Sequence, residues 1–321
     1  MRVGVIGCGR WGTCIAWYLD RIGNEVTLCG RPGSKSLEAL INTRRNEYIE
    51  IPESIALTDD KKSLFDKDVI IISVGSQELR ALLKELAALS LGNANVVFCM
   101  KGLEIGTGDR LTQIAEETFD ASVETAVWIG PGHVQDLYAG IPACMVIDGK
   151  SAQLKQELAE SFSSDLIRIY TGNDLIGNEI GAAAKNVIGI AGGVLDGLGW
   201  HSLKGALMAR GAQEVSRLIR ACSGKELSAY GLCHLGDYEA TLFSPYSHNR
   251  RFGESLVSGE RFDKLAEGYY TAAAINLLSR QYGVDMPICS ALYRVLYENA
   301  DAETELTLLF RRSLKTEFRK Q

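Results

Sequence analysis

The chain has 321 residues, enough for two domains and a sizeable core. With 46% hydrophobic residues and a net charge of -6, it has the balance of an ordinary soluble globular protein. No basic run exceeds a pair, which argues against a nucleic-acid partner, and no apolar run approaches the ~20 residues of a membrane helix. A small anionic substrate, which needs only a local cluster of Lys and Arg, stays open.

The first residues, MRVGVIGCG, show no long apolar stretch and no cleavage site of an export signal. Cysteines at 8, 14, 29, 99, 144, 222, 233 and 289 have no CxxC spacing, and several sit in apolar runs. That pattern reads as free, buried thiols in a reducing compartment, and the expected location is cytoplasmic.

Residues 2–6 read as a strand running into Gly7-Cys8-Gly9-Arg10-Trp11-Gly12 and then an apolar helix over 13–19. Strand, G-x-G-x-x-G, helix is the dinucleotide fingerprint in its required context. Gly7 would make the tight turn, Gly9 admit the pyrophosphate, and Gly12 let helix and strand pack. The next strand, 25–30, ends without the carboxylate that would hold the ribose 2′-OH of NAD. Arg31 follows instead, either a surface charge or the partner of an NADP 2′-phosphate.

A polar helix over 34–46 leads to Tyr48 in a loop. A continuous apolar run at 68–74 reads as a fully buried strand, and Gly75-Ser76-Gln77 opens a helix over 78–88. Strands at 95–100, 126–129, 143–147 and 167–170 continue the series. Alternating strands and helices imply an N-terminal Rossmann-type, doubly wound α/β domain with a mainly parallel sheet. Lys101, Ser76 and Gly130 fall at strand C-termini, where such sheets bind ligands.

After Asp174 strands disappear, and helical periods fill 176–198, 203–222, 262–281 and 287–299. The expected division is therefore a dinucleotide-binding domain over 1–174 and an all-α substrate and catalytic domain over 175–321. The segment 178–199 is long and mostly small or apolar, with charge only at Glu179, Lys185 and Asp196. Its glycines each cost ~1 kcal/mol in a helix, so something must approach closely enough to compensate. Gly181, Ala182, Lys185, Gly189 and Gly192 share one face. Lys185 on such a face reads either as a core lysine snorkelling to water or as a cleft lysine of lowered pKa that moves protons. Asn186 beside it favours the second. Polar loops are expected at 236–241 and 247–253. The four histidines have no metal-ligand spacing, so no metal is expected.

The series GCGRWGT, MKGLEIGTGDRL, Gly130-Pro131, IGNEIGAAAKNVIGIAGGVLDGLG, LKGALMARG, HLGD, SHNRRFG and AEG followed by TA resembles the NAD(P)-dependent glycerol-3-phosphate dehydrogenase family almost end to end. The resemblance implies that NAD or NADP is the cofactor and that Lys185 is the catalytic acid and base, with Asp237 and Asn186 beside it. It places Lys101, Gly130, Thr241, Ser247, His248 and Asn249 around a phosphorylated small-molecule substrate. Gly7, Gly9, Arg10, Trp11, Gly12, Arg31, Tyr48, Ser76, Lys101 and Glu267 fall near the cofactor. The implied reaction interconverts dihydroxyacetone phosphate and sn-glycerol 3-phosphate, a step towards glycerophospholipids. The resemblance also allows a homodimer.

Two departures stand out. Gly132-His133 follows Gly130-Pro131 where the family has a small polar residue. His248 stands where the family has an arginine that helps hold the substrate phosphate. The alternatives left open are a reductase of another small 2-keto or hydroxy compound and an NAD(P)-binding sensor without turnover.

Overall fold

In the computed structural model, which describes residues 1–89, 94–313 and 316–317, the chain starts as the sequence pattern demands. β1 (Arg2–Ile6), α1 (Arg10–Arg21), β2 (Glu25–Cys29), α2 (Lys35–Thr43) and β3 (Ala56–Thr58) form the first unit. β4 (Val69–Ile72), α3 (Leu79–Leu89), β5 (Asn95–Phe98), α4 (Leu111–Thr118) and β6 (Thr125–Ile129) follow. α5 (Val134–Tyr138), β7 (Ala143–Gly149), α6 (Ala152–Phe162) and β8 (Ile167–Thr171) complete the α/β part. The eight strands lie in the order β3-β2-β1-β4-β5-β6-β7-β8, parallel throughout except where β7 runs antiparallel to β6.

The buried runs found in the sequence explain this sheet. All four residues of β4 are buried, and they alternate between two cores. Val69 and Ile71 join Val3, Val5 and Trp128 on one face, while Ile70 and Ile72 join Val96 and Phe98 on the other. A strand buried on both faces gains apolar burial at every position, which is why it reads as a continuous hydrophobic run. Strand order reverses between β1 and β4, so a crevice opens beyond their C-terminal ends, at Gly7 and Ser73.

The helical part consists of α7 (Leu175–Gly197), α8 (Lys204–Ala221), α9 (His248–Ser258), α10 (Glu267–Gln281), α11 (Pro287–Tyr297) and α12 (Ala302–Phe310). α7 is its axis, buried from Glu179 through Leu195. His234, Thr241 and Leu242 approach Gly181, Gly189 and Gly192, and α9 makes the tightest approach, at Gly193. A Cβ on Gly193 would collide with the Arg250 carbonyl and lie 2.9 Å from Glu254 N, and one on Gly253 would lie 2.9 Å from Gly193 Cα. Backbone-to-backbone contact between two helices offsets the glycine cost.

Three expectations need correction. The polar stretch 247–253 is not a loop: Ser247 caps α9, its hydroxyl accepting from Arg250 N at 3.3 Å, so hydrogen-bonding residues start a helix there. Likewise 236–241 is a 3-10 turn followed by a π-helical turn, Glu239–Phe243. The helix expected from 262 begins only at Glu267. The short β3 and helices α4, α5, α6 and α12 were not foreseen, and part of the expected second domain, 314–315 and 318–321, lies outside the described residues. All eight cysteines are free, six of them buried. Among the described residues no helix is long and apolar enough to cross a membrane, and no cluster of potential metal ligands forms.

Candidate functional site

A cleft of about 960 Å³ runs from the crevice at β1 and β4 to the middle of α7. At its first end the three fingerprint glycines divide into two kinds. Gly7 has φ +119°, and a side chain there would strike the Ser73 carbonyl; a side chain on Gly12 would strike the carbonyl of Gly7. Both are glycine because the chain itself leaves no room. A Cβ on Gly9 would meet nothing within 4 Å, so nothing in the protein demands glycine there. Gly9 is also the N-cap of α1 and brings no side-chain cap, which leaves the N–H groups of that first turn turned to the cleft. Such an open cradle at a helix start fits a pyrophosphate.

Along the same wall Trp11 and exposed Arg31 line the cleft beyond β1 and β2, together with Ser34 and Lys61, whose Nζ pairs with Glu85 at 3.0 Å. Tyr48 stands outside the lining, with the Arg10 guanidinium 5.7 Å above its ring centroid. Ser76 is buried, and it donates from N and Oγ to the Glu267 carboxylate at 3.0 and 2.5 Å, tying the β4 end to the first turn of α10. Burial raises the Glu267 pKa although Ser76 opposes the shift.

The other end is built on α7. Lys185 is 8% exposed, yet its Nζ does not snorkel outward. It donates to Thr241 Oγ1 at 2.8 Å and pairs with Asp237 Oδ2 at 3.0 Å. Burial pushes its pKa down to about 8, against the pull of the Asp237 carboxylate. The same Asp237 oxygen holds Lys101 Nζ at 2.7 Å, and Lys101 also donates to the Gly130 carbonyl at 2.6 Å. Gly130 thus contributes a carbonyl behind the cleft rather than lining it.

Asp237 and Thr241 are placed by local structure that the sequence did not announce. Thr241 lies in the π-helical turn and donates to the Asp237 carbonyl at 2.6 Å. The turn is anchored by His234, whose Nδ1 meets the Gly181 carbonyl at 2.8 Å and whose Nε2 accepts from the Tyr238 hydroxyl at 2.6 Å. A carbonyl only accepts, so Nδ1 carries the proton. Burial pushes this histidine down to about 4, and it stays neutral.

A second chain of amides runs beside the lysines. Asn186 donates to the Lys101 carbonyl at 3.0 Å and accepts from Asn249 at 3.0 Å; Asn249 accepts in turn from Gly268 N at 2.9 Å. This series locks β5, α7, α9 and α10 around the cleft floor. Ser247 and His248 line the adjacent wall. His248 Nδ1 lies 3.2 Å from the Leu265 carbonyl and Nε2 3.5 Å from Arg10 Nη1. Burial first, then the charge of Arg10, lowers its pKa, so in the free protein the ring is neutral rather than a cation.

The cleft therefore gathers nearly every candidate residue, with Tyr48, Ser76, Gly12 and Gly130 behind its surface. Sequence reasoning missed three participants. Lys61 follows the unforeseen β3, and its only signal is a basic pair at 61 and 62. The Tyr246 carbonyl carries no side-chain signal at all. His133 was noted only as a departure; its buried Nε2 has no partner among the described residues, and its ring edge meets Tyr246 at 5.7 Å.

Residues 2–155 match the family model described as the NAD-dependent glycerol-3-phosphate dehydrogenase N-terminus, and residues 174–307 match that of its C-terminus. A glycerol-3-phosphate dehydrogenase (NAD(P)+) of Chlorobium phaeobacteroides strain BS1 is 35% identical, with 99% of each chain covered. One from Thermotoga sp. strain RQ2 is similar to the same degree, 35% with 99% of each covered. The crystal structure of glycerol-3-phosphate dehydrogenase from Coxiella burnetii superposes with a TM-score of 0.91 at 27% identity, over 97% of this chain and 99% of that one. The end-to-end match of sequence and fold, with a buried lysine at the floor of the cleft, places the chain in the NAD-dependent glycerol-3-phosphate dehydrogenase family.

Proposed function

We propose that this protein is an oxidoreductase that interconverts dihydroxyacetone phosphate and sn-glycerol 3-phosphate with NAD or NADP, and that Lys185 moves the proton. The observation that carries the reading is the Lys185 ammonium, held between Asp237 and Thr241 at the cleft floor. When bound, the nicotinamide cofactor supplies or accepts the hydride. Gly9 and the first turn of α1 would hold its pyrophosphate, Arg31 with Lys61 would meet a 2′-phosphate, and Glu267 with Ser76 would close the far side.

Reduction of a ketone builds negative charge on its oxygen, and that oxygen must gain a proton as the C–H bond forms. Lys185, with a pKa of about 8, is mostly protonated at neutral pH yet gives up its proton readily. In the reverse direction the neutral amine takes the hydroxyl proton. Asp237 and Thr241 fix two of the ammonium's three N–H directions, while Lys101 and Asn186 offer donors to the developing charge or to the substrate. Ser247 and Asn249 border the same space.

A sensor without turnover has no use for a buried proton donor with a lowered pKa, so the lysine favours an enzyme. We take residues 1–174 as the cofactor-binding part and 175–321 as the substrate part, and expect a cytoplasmic protein that forms a homodimer. The decisive experiment follows NADH and NADPH oxidation with dihydroxyacetone phosphate beside a panel of 2-keto acids. Oxidation driven by the phosphorylated ketone supports the proposal. Turnover of keto acids alone would assign the chain to the other reductase class, and cofactor binding without turnover would assign it to the sensor class.

A further inference from the structure

Position 248, where the resemblance expects a cation for the substrate phosphate, holds a neutral ring that accepts. The Leu265 carbonyl can only accept, so the Nδ1 of His248 at 3.2 Å is its donor and the proton sits there. Nε2 is then a lone pair, and the group aimed at it is the Arg10 guanidinium at 3.5 Å. Arg10 Nη1 also reaches the Tyr246 carbonyl at 3.3 Å. Arg10 follows the cradle glycine Gly9, but its side chain is drawn across the cleft to the helical part, 238 residues on in sequence.

Of the other cations near His248, Arg251 and Lys264 act on its ring only through their charge and neither lines the cleft, while the remaining three are committed elsewhere. Lys101 and Lys185 share Asp237, and Arg250 is bound to Asp196 and Glu254, each at 2.7 Å. Among the described residues no carboxylate lies within ion-pair distance of Arg10, whose partners are a carbonyl, an imidazole nitrogen and the Tyr48 ring. All three are neutral and long-range. An arginine so lightly held keeps most of its fork free for an anion. The charge count agrees: two lysines and one aspartate leave one net positive charge, and Arg10 raises it to two. A phosphate ester carries about −1.5 to −2 at neutral pH.

We infer that Arg10, steered by the lone pair of His248, is the residue that grips the substrate phosphate, so that the cation has moved from position 248 to position 10. The inference rests on the proposed phosphorylated substrate and assigns Arg10 to the substrate rather than to the cofactor.

The test compares the wild type, Arg10→Met and the double variant Arg10→Met/His248→Arg. KM is measured for dihydroxyacetone phosphate and for NADPH, and sn-glycerol 3-phosphate is titrated calorimetrically into each protein with NADPH bound, a pair that cannot react. Arg10→Met should raise KM for the ketone and weaken sn-glycerol 3-phosphate by roughly 10- to 100-fold, the loss of one charge-assisted hydrogen-bonding group. KM for NADPH should move less than about threefold, which also shows that the variant folds. Arginine returned at 248 should recover most of the loss. Unchanged KM for the ketone in Arg10→Met, or an equal rise for NADPH, overturns the assignment. So does a double variant that binds NADPH normally yet recovers nothing. A wild type that does not reduce dihydroxyacetone phosphate would overturn the proposed function itself, an outcome distinct from a wild type that turns over and an Arg10→Met variant that matches it.

Discussion

Lys185 and Asp237 meet at 3.0 Å, and the same carboxylate oxygen holds Lys101 at 2.7 Å from its other side. One buried anion between two cations keeps both ammonium groups in place while compensating only part of their charge. The excess positive charge faces the cleft, where a ketone oxygen turning into an alkoxide would gain from it. If Lys185 is the proton donor, Lys185→Met should lose ~10²-fold or more in turnover, the scale of general acid catalysis. Its affinity for NADPH, read by fluorescence titration, should stay close to wild type. A correctly folded Lys185→Met protein with near-normal turnover would rule out this role.

The pH dependence follows from the same pair. Burial lowers the Lys185 pKa to about 8, so the proton-donating form is present below that value and lost above it. kcat/KM for ketone reduction, which reports the free enzyme, should therefore fall as pH rises through about 8, while oxidation of the alcohol gains. Asp237 holds the lysine's pKa up, so in Asp237→Asn the falling limb should move to lower pH. Stability has its own sign. A lysine whose folded pKa lies below its unfolded value binds more protons when unfolded between about 8 and 10.5, and stability rises with pH through that window. Urea unfolding of the wild type against Lys185→Met at pH 8 and 10 checks this. A limb that stays put in Asp237→Asn would detach the titration from the pair.

Arg31 offers a separate test. It stands exposed at the cleft edge past β2, with no carboxylate at the strand end to compete for a ribose. NADPH should be used at least as well as NADH, and Arg31→Ala should weaken NADPH more than NADH. Equal losses for both cofactors would reduce Arg31 to a surface charge.

The sequence showed the sheet, the fingerprint and the lysine helix because each writes a local pattern. β4 is a continuous apolar run, Gly7 and Gly12 stand where backbone crowds, and α7 holds its charge to three residues. What stayed hidden depends on contacts distant in the chain. β3 is three residues long and only half buried, too short to show a period. The start of α9 looked like a polar loop because Ser247 is a cap, and caps and loops use the same residue types. The glycine face of α7 was expected around Lys185, yet the tightest contact falls at Gly193, which only the position of α9 reveals. The neutral state of His248 could not be read either, since burial and the charge of Arg10 set it, while the Leu265 carbonyl decides only which ring nitrogen carries the proton.

The last prediction concerns what joins α7 to the sheet. Glu179, 4% exposed, accepts from Thr112 N at 3.0 Å and from both Thr112 Oγ1 and Arg110 Nη1 at 2.5 Å. It spans from the early part of α7 to the N-terminus of α4, so its bonds fix the helix that carries Lys185 against the part that carries Lys101. Burial raises the Glu179 pKa, opposed chiefly by Arg110, so the carboxylate is a costly ion kept affordable by its three donors. Removing it leaves the Arg110 cation, with only 14% of its side chain exposed, and the Thr112 amide short of a partner. Glu179→Ala should therefore destabilise the protein by on the order of 3 kcal/mol, the low end for breaking a buried ion pair. Arg110→Ala alone should cost less, because Glu179 can then take up a proton and keep Thr112. In the double variant Glu179→Ala/Arg110→Ala neither charge is stranded, so the combined loss should fall short of the two single losses by about 1 kcal/mol or more. Urea unfolding of the four proteins gives the coupling. Strict additivity would show that Glu179 acts through Thr112 alone, and a stable Glu179→Ala protein would remove it as the tether.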